Sequence, residues 1–178
     1  ALYRNLDFDV RKDFVGVTLI ASQPSMLAVH ASVPVTTGKD LIGFATSGPG
    51  KLAYGSAGIG SATHLGTELL MYASKTEILH IPYKSAGLAT TALLAGEVQI
   101  LLTNMASVLP HIAAGRIKAV GISSLKRSPL APQVPTLNES GLPGFEYATW
   151  YGMLVPTRTQ QSIVDYLQGS IATVLKAP

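Results

Sequence analysis

Short apolar runs alternate with helical segments between Leu52 and Ser123, and this alternation constrains the fold more than any other feature of the chain. Nearly continuous apolar strands separated by helices are typical of a sheet that is covered on both faces. The pattern therefore predicts an α/β fold with a mostly parallel sheet flanked by helices. The predicted strands are residues 52–56, 78–83, 98–102 and 117–123, and the predicted helices are residues 61–73, 86–95 and 105–114.

The segments on either side of this region carry further predicted elements. Two apolar runs, residues 17–21 and 26–30, predict two strands that Gln23 and Pro24 separate, because proline cannot donate to a strand ladder. Residues 1–14 predict a surface lead-in, residues 37–47 a short helix and residues 125–145 an irregular, proline-rich connection. Residues 147–155 predict a last strand, and residues 158–176 a closing amphipathic helix with Ile163, Leu167, Ile171, Val174 and Leu175 on one face.

Composition excludes several functional classes. The 178 residues are 47% hydrophobic and only 13% charged, which is typical of a globular chain. The net charge is +3, but no basic run is longer than the two residues of Lys126–Arg127, so we expect no nucleic-acid partner. The absence of cysteine excludes disulfides and thiolate metal sites, and it fits the cytoplasm and the periplasm equally. No run reaches the about 18–20 apolar residues of a membrane span.

A glycine-rich loop joins the first of these strands to its helix. Gly55, Gly58 and Gly60 precede Ser61 and Thr63, where the helical pattern begins. Because the first N–H groups of a helix have no internal partner, such a loop can bind an anion. The loop lacks the third glycine of a dinucleotide fingerprint and the lysine of a phosphate-binding P-loop. The alternative is a tight strand–helix connection with a serine cap and no ligand.

Polar residues also follow the next two predicted strands. Tyr83, Lys84 and Ser85 lie at the end of the strand predicted for residues 78–83, and Thr103 and Asn104 follow residues 98–102. Ligands of open parallel sheets lie outside the carboxyl ends of the strands. The three strand ends therefore predict one neutral-to-positive pocket for a small carboxylate. The alternative is that Ser85 and Asn104 only cap helices.

No arrangement of side chains favours catalysis, so we expect neither an enzyme nor a cofactor or metal. The ten acidic residues are dispersed, and His30, His64, His80 and His111 lack the i, i+4 spacing of helical metal sites. The stretch from Ser123 to Lys126 matches Ser-x-x-Lys, but no Lys-Thr-Gly accompanies it. An α/β enzyme that binds phosphate at the glycine loop remains the less favoured alternative.

Several motifs in a fixed order resemble one known family. They are Pro49-Gly50-Lys51-Leu52, Tyr54-Gly55-Ser56-Ala57-Gly58, Gly60-Ser61, His64-Leu65, Ile81-Pro82-Tyr83-Lys84, Leu93-Leu94-Ala95-Gly96, Leu109-Pro110-His111-Ile112, Arg127-Ser128-Pro129, Val134-Pro135-Thr136 and Gly141-Leu142-Pro143-Gly144. The chain is similar to the Bug-type periplasmic solute receptors of tripartite tricarboxylate transporters. The resemblance covers nearly the whole chain.

The resemblance implies a type II periplasmic-binding-protein architecture with two α/β lobes that hold a small organic carboxylate. It implies that residues 1–24 form a lead-in and first crossover, residues 25–146 the second, ligand-binding lobe, and residues 147–178 a second crossover strand and helix that return to the first lobe. The expected partners are the permease subunits of the transporter, and the expected location is the periplasm, although Ala1 begins no signal peptide. A truncated chain of this kind is expected to self-associate. A partner of a membrane sensor is the alternative function.

The resemblance also implies the residues of the site. Lys84 and Tyr83 follow one strand, Asn104 follows the next, and the glycine loop carries the rest: Ser56, Ala57, Gly58, Gly60, Ser61, Thr63 and His64. The chain departs from the family pattern at Ile59, Ser85 and Thr103, where the family commonly has asparagine, glycine and an acidic residue. Ile59 therefore predicts a less polar contact with the ligand.

Overall fold

A computed structural model describes residues 6–48 and 50–177. The chain divides into two compact units, a large unit formed by Pro24–Ala148 and a small unit formed by the stretches before and after it. The assignment of these units to the lobes of a longer receptor stays a prediction. In chain order the elements are α1 (Val10–Asp13), β1 (Phe14–His30), α2 (Gly38–Ser47), β2 (Ala53–Ser56), α3 (Ala62–Ser74), β3 (Leu79–Pro82), α4 (Ala86–Ala95), β4 (Ile100–Asn104), α5 (Met105–Ala113), β5 (Ile117–Ile122), β6 (Ala148–Pro156) and α6 (Gln161–Leu175).

The sheet of the large unit has the order β3-β2-β4-β1-β5. Strand β2 is parallel to both β3 and β4, whereas β1 is antiparallel to both β4 and β5. The α/β class with flanking helices is thus confirmed, and the sheet is mixed. The strands β2 to β5 are the ones that the alternation identified. Strand β1 lies before this alternating region, so the alternation does not predict its direction.

Strand β1 corrects the expectation of two strands separated at Pro24. It runs without interruption from Phe14 to His30. The proline is tolerated because the pairing of β1 with β4 begins one residue later, at Ser25 opposite Asn104. The change at Pro24 is one of burial, since residues 25–29 are buried and residues 19–22 are exposed.

The helices of the large unit begin where the sequence places capping side chains. Thr37 and Asp40 form a capping box at the start of α2. Ser61, Ser85 and Asn104 cap α3, α4 and α5 through their side-chain oxygens. Because β4 ends at the Asn104 cap, it lies two residues further along the chain than the apolar run predicts.

Two elements of the small unit differ from the sequence interpretation. The predicted lead-in contains the short helix α1, whose first turn is capped by Asp9. The apolar face predicted for α6 is only partly covered. Val164 is buried and Leu167 and Ile171 are half-buried, but the side chains of Ile163, Val174 and Leu175 are exposed. The small unit therefore buries a narrower stripe of α6 than the periodicity predicts.

Two hydrophobic clusters hold the sheet of the large unit. Alternate residues of β1 divide between them, with Leu27 and Val29 in one cluster and Met26 and Ala28 in the other. Successive side chains of a strand point to opposite faces, so the sheet is buried on both sides, as the apolar runs predict. Among the described residues, no helix has the length and apolar character needed to cross a bilayer.

Helix α3 approaches the core so closely that a methyl group at Gly66 has no room. A Cβ atom there would lie 2.6 Å from Tyr147 Cε1 and 2.9 Å from Leu102 Cδ2. We expect Gly66→Ala to lower the free energy of unfolding by about 1–3 kcal/mol through overpacking. Gly43→Ala is the matched control, because a Cβ at this exposed position of α2 meets nothing within 4 Å. It should stabilise the chain by roughly 0.5–1 kcal/mol through helix propensity. Urea unfolding of both variants measures the two changes in the free energy of unfolding. Equal changes would contradict the prediction.

Candidate functional site

The glycine loop (residues 57–61) leaves the carboxyl end of β2 and leads directly into α3. Gly58 and Gly60 have φ angles of 109° and 80°, in the region that glycine adopts without strain. The preceding Ser56 is completely buried, and Ser61 is the N-cap of α3. The local sequence thus produces the strand, turn and helix start that the glycine spacing predicts.

Hydrogen bonds that involve the side chains of Ser61 and Thr63 stabilise the conformation of the glycine loop. The Ser61 hydroxyl donates to the Gly58 carbonyl oxygen at 2.7 Å and accepts from the His64 N–H at 3.3 Å. The Thr63 hydroxyl oxygen accepts from the Ala57 N–H at 2.8 Å. Ser61 therefore caps the helix and braces the turn at once, so its proton is already engaged with the backbone.

Two more N–H groups of the loop have side-chain acceptors. The Gly58 N–H donates to Ser56 Oγ at 3.1 Å, and the Gly60 N–H donates to His64 Nδ1 at 3.2 Å. By contrast, no described residue accepts a hydrogen bond from the N–H groups of Ile59, Ala62 or Thr63. Ala62 and Thr63 form the first turn of α3, where the helix dipole favours negative charge. The glycine loop and the first turn of α3 thus present three N–H groups that are available to a ligand.

The ends of the three parallel strands lie at one edge of the sheet, as predicted. Ser56 is paired with Pro82 across β2 and β3, and the Tyr83 N–H donates to the Ser56 carbonyl oxygen at 2.9 Å. A Cβ on Gly58 would lie 3.4 Å from the Tyr83 carbonyl oxygen. The structure therefore brings Tyr83 directly against the glycine loop.

No hydrogen bond or ion pair among the described residues joins Asn104 or Lys84 to the glycine loop. Asn104 ends β4, the other neighbour of β2, and its Oδ1 accepts from the Ser107 N–H at 3.2 Å as the cap of α5. Lys84 is exposed and forms no ion pair with any residue that the structure describes. The Tyr83 hydroxyl lies 3.4 Å from Glu97 Oε2. Burial, and then the charge of Glu97, raise the pKa of this phenol.

A cluster of four side chains behind the loop was missed by sequence reasoning. This histidine cluster consists of Tyr54, His64, Glu68 and His80. The His80 ring stacks on Tyr54 with centroids 4.7 Å apart and lies 4.3 Å from the His64 ring. The Tyr54 hydroxyl donates to Glu68 Oε1 at 2.5 Å, and His80 Nε2 lies 2.7 Å from Ser56 Oγ. The cluster therefore links Ser56, which precedes the glycine loop, to side chains of β2, α3 and β3.

Burial shifts the pKa values of two members of the cluster. Burial lowers the pKa of His80, the electrostatic interaction with His64 acts in the same direction, and the interaction with Glu68 opposes them. Burial and the neighbouring Glu68 raise the pKa of Tyr54, so its hydroxyl keeps its proton. Two signals in the sequence were available: the i, i+4 spacing of His64 and Glu68, and the equal positions of Tyr54 and His80 in neighbouring strands.

Two alternatives to the glycine loop as the functional site are less well supported: a cavity at the far end of α3 and a metal site. An open cavity of about 360 Å³ lies at the far end of α3, between Leu69, Tyr72 and the 141–146 segment. Glu146 is the only charged side chain that lines it, so it offers nothing that would attract an anion. Within residues 6–48 and 50–177, no group of three or more His, Asp or Glu side chains is placed to hold a metal ion.

Comparison with known proteins shows what this fold and sheet edge belong to. The chain superposes on a solved periplasmic binding protein, BugD, with a TM-score of 0.90 and 32% identity over 99% of this chain and 59% of that one. The fold is therefore that of the periplasmic binding proteins. Residues 1–178 also match the sequence profile described as tripartite tricarboxylate transporter family receptor. The chain belongs to this family, which confirms the resemblance found in its motifs.

Two further relatives set the scale of the similarity. A protein encoded in the tcbD-tcbE intergenic region of Pseudomonas sp. (strain P51) is 38% identical over 99% of this chain and 53% of its own length. The structure of Rpa4515 from R. palustris, solved with adipate, has 35% identity and a TM-score of 0.91 over 99% of this chain and 59% of that one. The chain thus spans about half the length of the curated relative that it matches.

The contact between Tyr54 and Glu68 gives a test of the histidine cluster. Tyr54→Phe removes the donor to Glu68 and leaves the fully buried ring in place. We expect it to lower the free energy of unfolding by about 1 kcal/mol, because the half-exposed Glu68 can recover part of its hydration. Tyr72→Phe is the control, since the Tyr72 side chain is 84% exposed. It should unfold at the same urea concentration as the parent chain, and a loss equal to that of Tyr54→Phe would contradict the assignment.

Proposed function

We propose that the chain supplies the carboxylate-binding face of a periplasmic receptor that delivers a small organic acid to a tripartite transporter. One observation carries the proposal. The Ala62 and Thr63 N–H groups are free at the N-terminus of α3, and no acidic side chain lies in the loop beside them. A carboxylate oxygen would accept from both groups and would interact favourably with the helix dipole. The expected ligand residues remain Ser56, Ala57, Gly58, Gly60, Ser61, Thr63, His64, Tyr83, Lys84 and Asn104.

The roles within this set differ. The free N–H groups contact the carboxylate, whereas the hydroxyls of Ser56, Ser61 and Thr63 hold the loop in the conformation that presents those groups. The exposed Lys84 supplies a positive charge at the same edge of the sheet. The Ile59 side chain is 67% exposed between Gly58 and Gly60 and supplies an apolar contact. An aliphatic dicarboxylate, such as the adipate bound by the relative from R. palustris, matches this combination.

A receptor fits the chain better than an enzyme does. Family members are receptors, and the hydroxyls of the site are hydrogen-bonded to backbone groups of the loop. The buried Ser56 comes within 2.7 Å of His80 Nε2, but a nucleophile must reach a substrate, and this hydroxyl is completely enclosed. The buried Ser56 is therefore not placed to act as a nucleophile. Delivery to permease subunits and a periplasmic location follow from the same proposal.

Removal of one free donor tests the proposal. Ala62 occupies the first position of α3, where proline is well tolerated, and Ser61 before it has ψ of 162°, as a residue before proline requires. We expect Ala62→Pro to keep the stability of the chain and to weaken adipate binding at least tenfold, because a hydrogen bond to a charged group contributes about 1.5–3 kcal/mol. The affinity is measured by following amide chemical shifts while adipate is added, a method that detects dissociation constants as weak as millimolar.

The control places the same substitution at a helix that the proposal does not use. Gln161→Pro changes the first residue of α6, after Gln160 with ψ of 137°, and should leave adipate affinity unchanged. Saturable adipate shifts of the Thr63 amide support the proposal. Unchanged affinity in Ala62→Pro, or shifts confined to other regions, would overturn it.

The small unit carries the proposed self-association. Exposed apolar side chains, among them Leu19, Trp150 and Leu154, surround an open cavity of about 330 Å³ on β1 and β6. An uncovered apolar patch favours association because its burial removes apolar surface from water. We expect concentration-dependent association in sedimentation velocity, and we expect Trp150→Ser to weaken it. Leu125→Ser, at an exposed leucine of the large unit, is the control, and a monomer at all concentrations would contradict the expectation.

A further inference from the structure

The histidine cluster contains two imidazoles that each place one ring nitrogen against the glycine loop or the Ser56 side chain beside it. His64 Nδ1 accepts the Gly60 N–H at 3.2 Å. His80 Nε2 lies 2.7 Å from Ser56 Oγ, and this oxygen in turn accepts the Gly58 N–H at 3.1 Å. The two glycines that set the turn are thus held through histidine nitrogens, one directly and one through Ser56.

The Gly60 contact requires that His64 Nδ1 carry no proton, because a protonated Nδ1 cannot accept a hydrogen bond. The His80 contact can form in either direction, because the Ser56 hydroxyl also reaches the Gly58 carbonyl oxygen at 3.3 Å and Ser56 Oγ can then accept from His80 Nε2. The titratable groups packed against the two rings are Tyr54 from β2 and Glu68 from α3, together with the rings themselves. Burial and the neighbouring Glu68 raise the pKa of Tyr54, and burial lowers the pKa of His80, so both shifts favour the uncharged forms of the two rings that face His64.

We propose that His64, with His80 behind it, is a positioning residue that holds the glycine loop in its carboxylate-binding conformation and makes that conformation depend on pH. The link to carboxylate affinity rests on the proposed function. His64 contacts the Gly60 N–H and His80 contacts Ser56, so in this proposal both histidines affect the ligand through the loop backbone. The chemical step is the uptake of one proton from solvent by His64 Nδ1, which forms one N–H bond and breaks no bond of the protein.

The direction of the effect follows from geometry. When Nδ1 of His64 binds a proton, two N–H groups point at each other across 3.2 Å, and the loop at Gly60 must move. Residues 59–63 carry the free donors, so this movement separates them. The opposing effect is the attraction between the new imidazolium and a carboxylate. Glu68 Oε1 lies only 3.8 Å from His64 Nε2 and offsets that charge. The displacement of the loop therefore outweighs the attraction, and protonation of His64 weakens carboxylate binding.

The first measurement needs no ligand. In the 178-residue chain, the Gly60 amide chemical shift should follow the titration of the His64 ring between pH 8 and pH 5. His64→Asn places an acceptor oxygen near the position of Nδ1 and cannot titrate, so its Gly60 amide should not respond to pH in this range. His111→Asn, at a histidine of α5, is the control and should leave the Gly60 titration unchanged.

The second measurement is adipate affinity at pH 7.5 and pH 5.5. We expect about a tenfold weakening at the lower pH in the parent chain, the size of one lost hydrogen bond to a charged group. His64→Asn should bind as the parent does at pH 7.5 and should retain only the pH dependence that adipate's own ionisation causes. His64→Leu, which has no acceptor, should bind weakly at both values. His80→Gln keeps an acceptor near Nε2 and should resemble the parent at pH 7.5.

The outcomes separate the two proposals. A Gly60 amide that does not follow the His64 titration overturns the positioning role, and so does a parent pH dependence that His64→Asn retains. Tighter binding at pH 5.5 would mean that the imidazolium attracts the carboxylate, and it would also overturn the role. A titrating Gly60 amide without adipate binding at any pH would refute the proposed function and leave the positioning role in place.

Discussion

Burial of one mixed sheet on both faces is the constraint on which the rest of the large unit depends. The two clusters that meet across β1 fix the order of the strands, and this order places the carboxyl ends of β3, β2 and β4 side by side. The glycine loop, Tyr83 and Asn104 are neighbours only because those strands are parallel and adjacent. A change that disturbs the packing of α3 on the sheet, such as a methyl group at Gly66, therefore also disturbs the loop.

The loop itself shows how a short polar segment becomes rigid without a ligand. Most of its donors are engaged by hydroxyls and imidazoles of its own strand, helix and neighbouring strand. The free N–H groups are those of Ile59 in the loop and of Ala62 and Thr63 at the start of α3. Such preorganisation lowers the cost of ordering the site when a ligand binds. It also means that the hydroxyls act mainly on the backbone, which differs from the direct ligand contacts that the sequence pattern favours for Ser61.

Family membership and fold support one another. The receptor family covers the whole chain, and solved relatives superpose over nearly all of it. The chain spans about half of its curated relative, so carboxylate binding, permease docking and location are proposals for the protein as a whole. The large unit contributes the site proposed here, and the exposed apolar surface of the small unit is proposed to associate with another copy of the chain.

The sequence by itself determined the α/β class, the positions of most elements and the helix starts, because apolar periodicity and capping residues act over a few neighbouring positions. Ser61, Ser85 and Asn104 are examples, since each caps the helix that follows it. Only the tertiary structure decided that β1 passes through Pro24 and runs antiparallel to its neighbours. It alone brought Tyr54, His64, Glu68 and His80 together, since their contacts depend on the register of β2 against β3 and on the packing of α3. Short-range patterns specify local conformation, whereas register and direction are set by the burial of residues far apart in the chain.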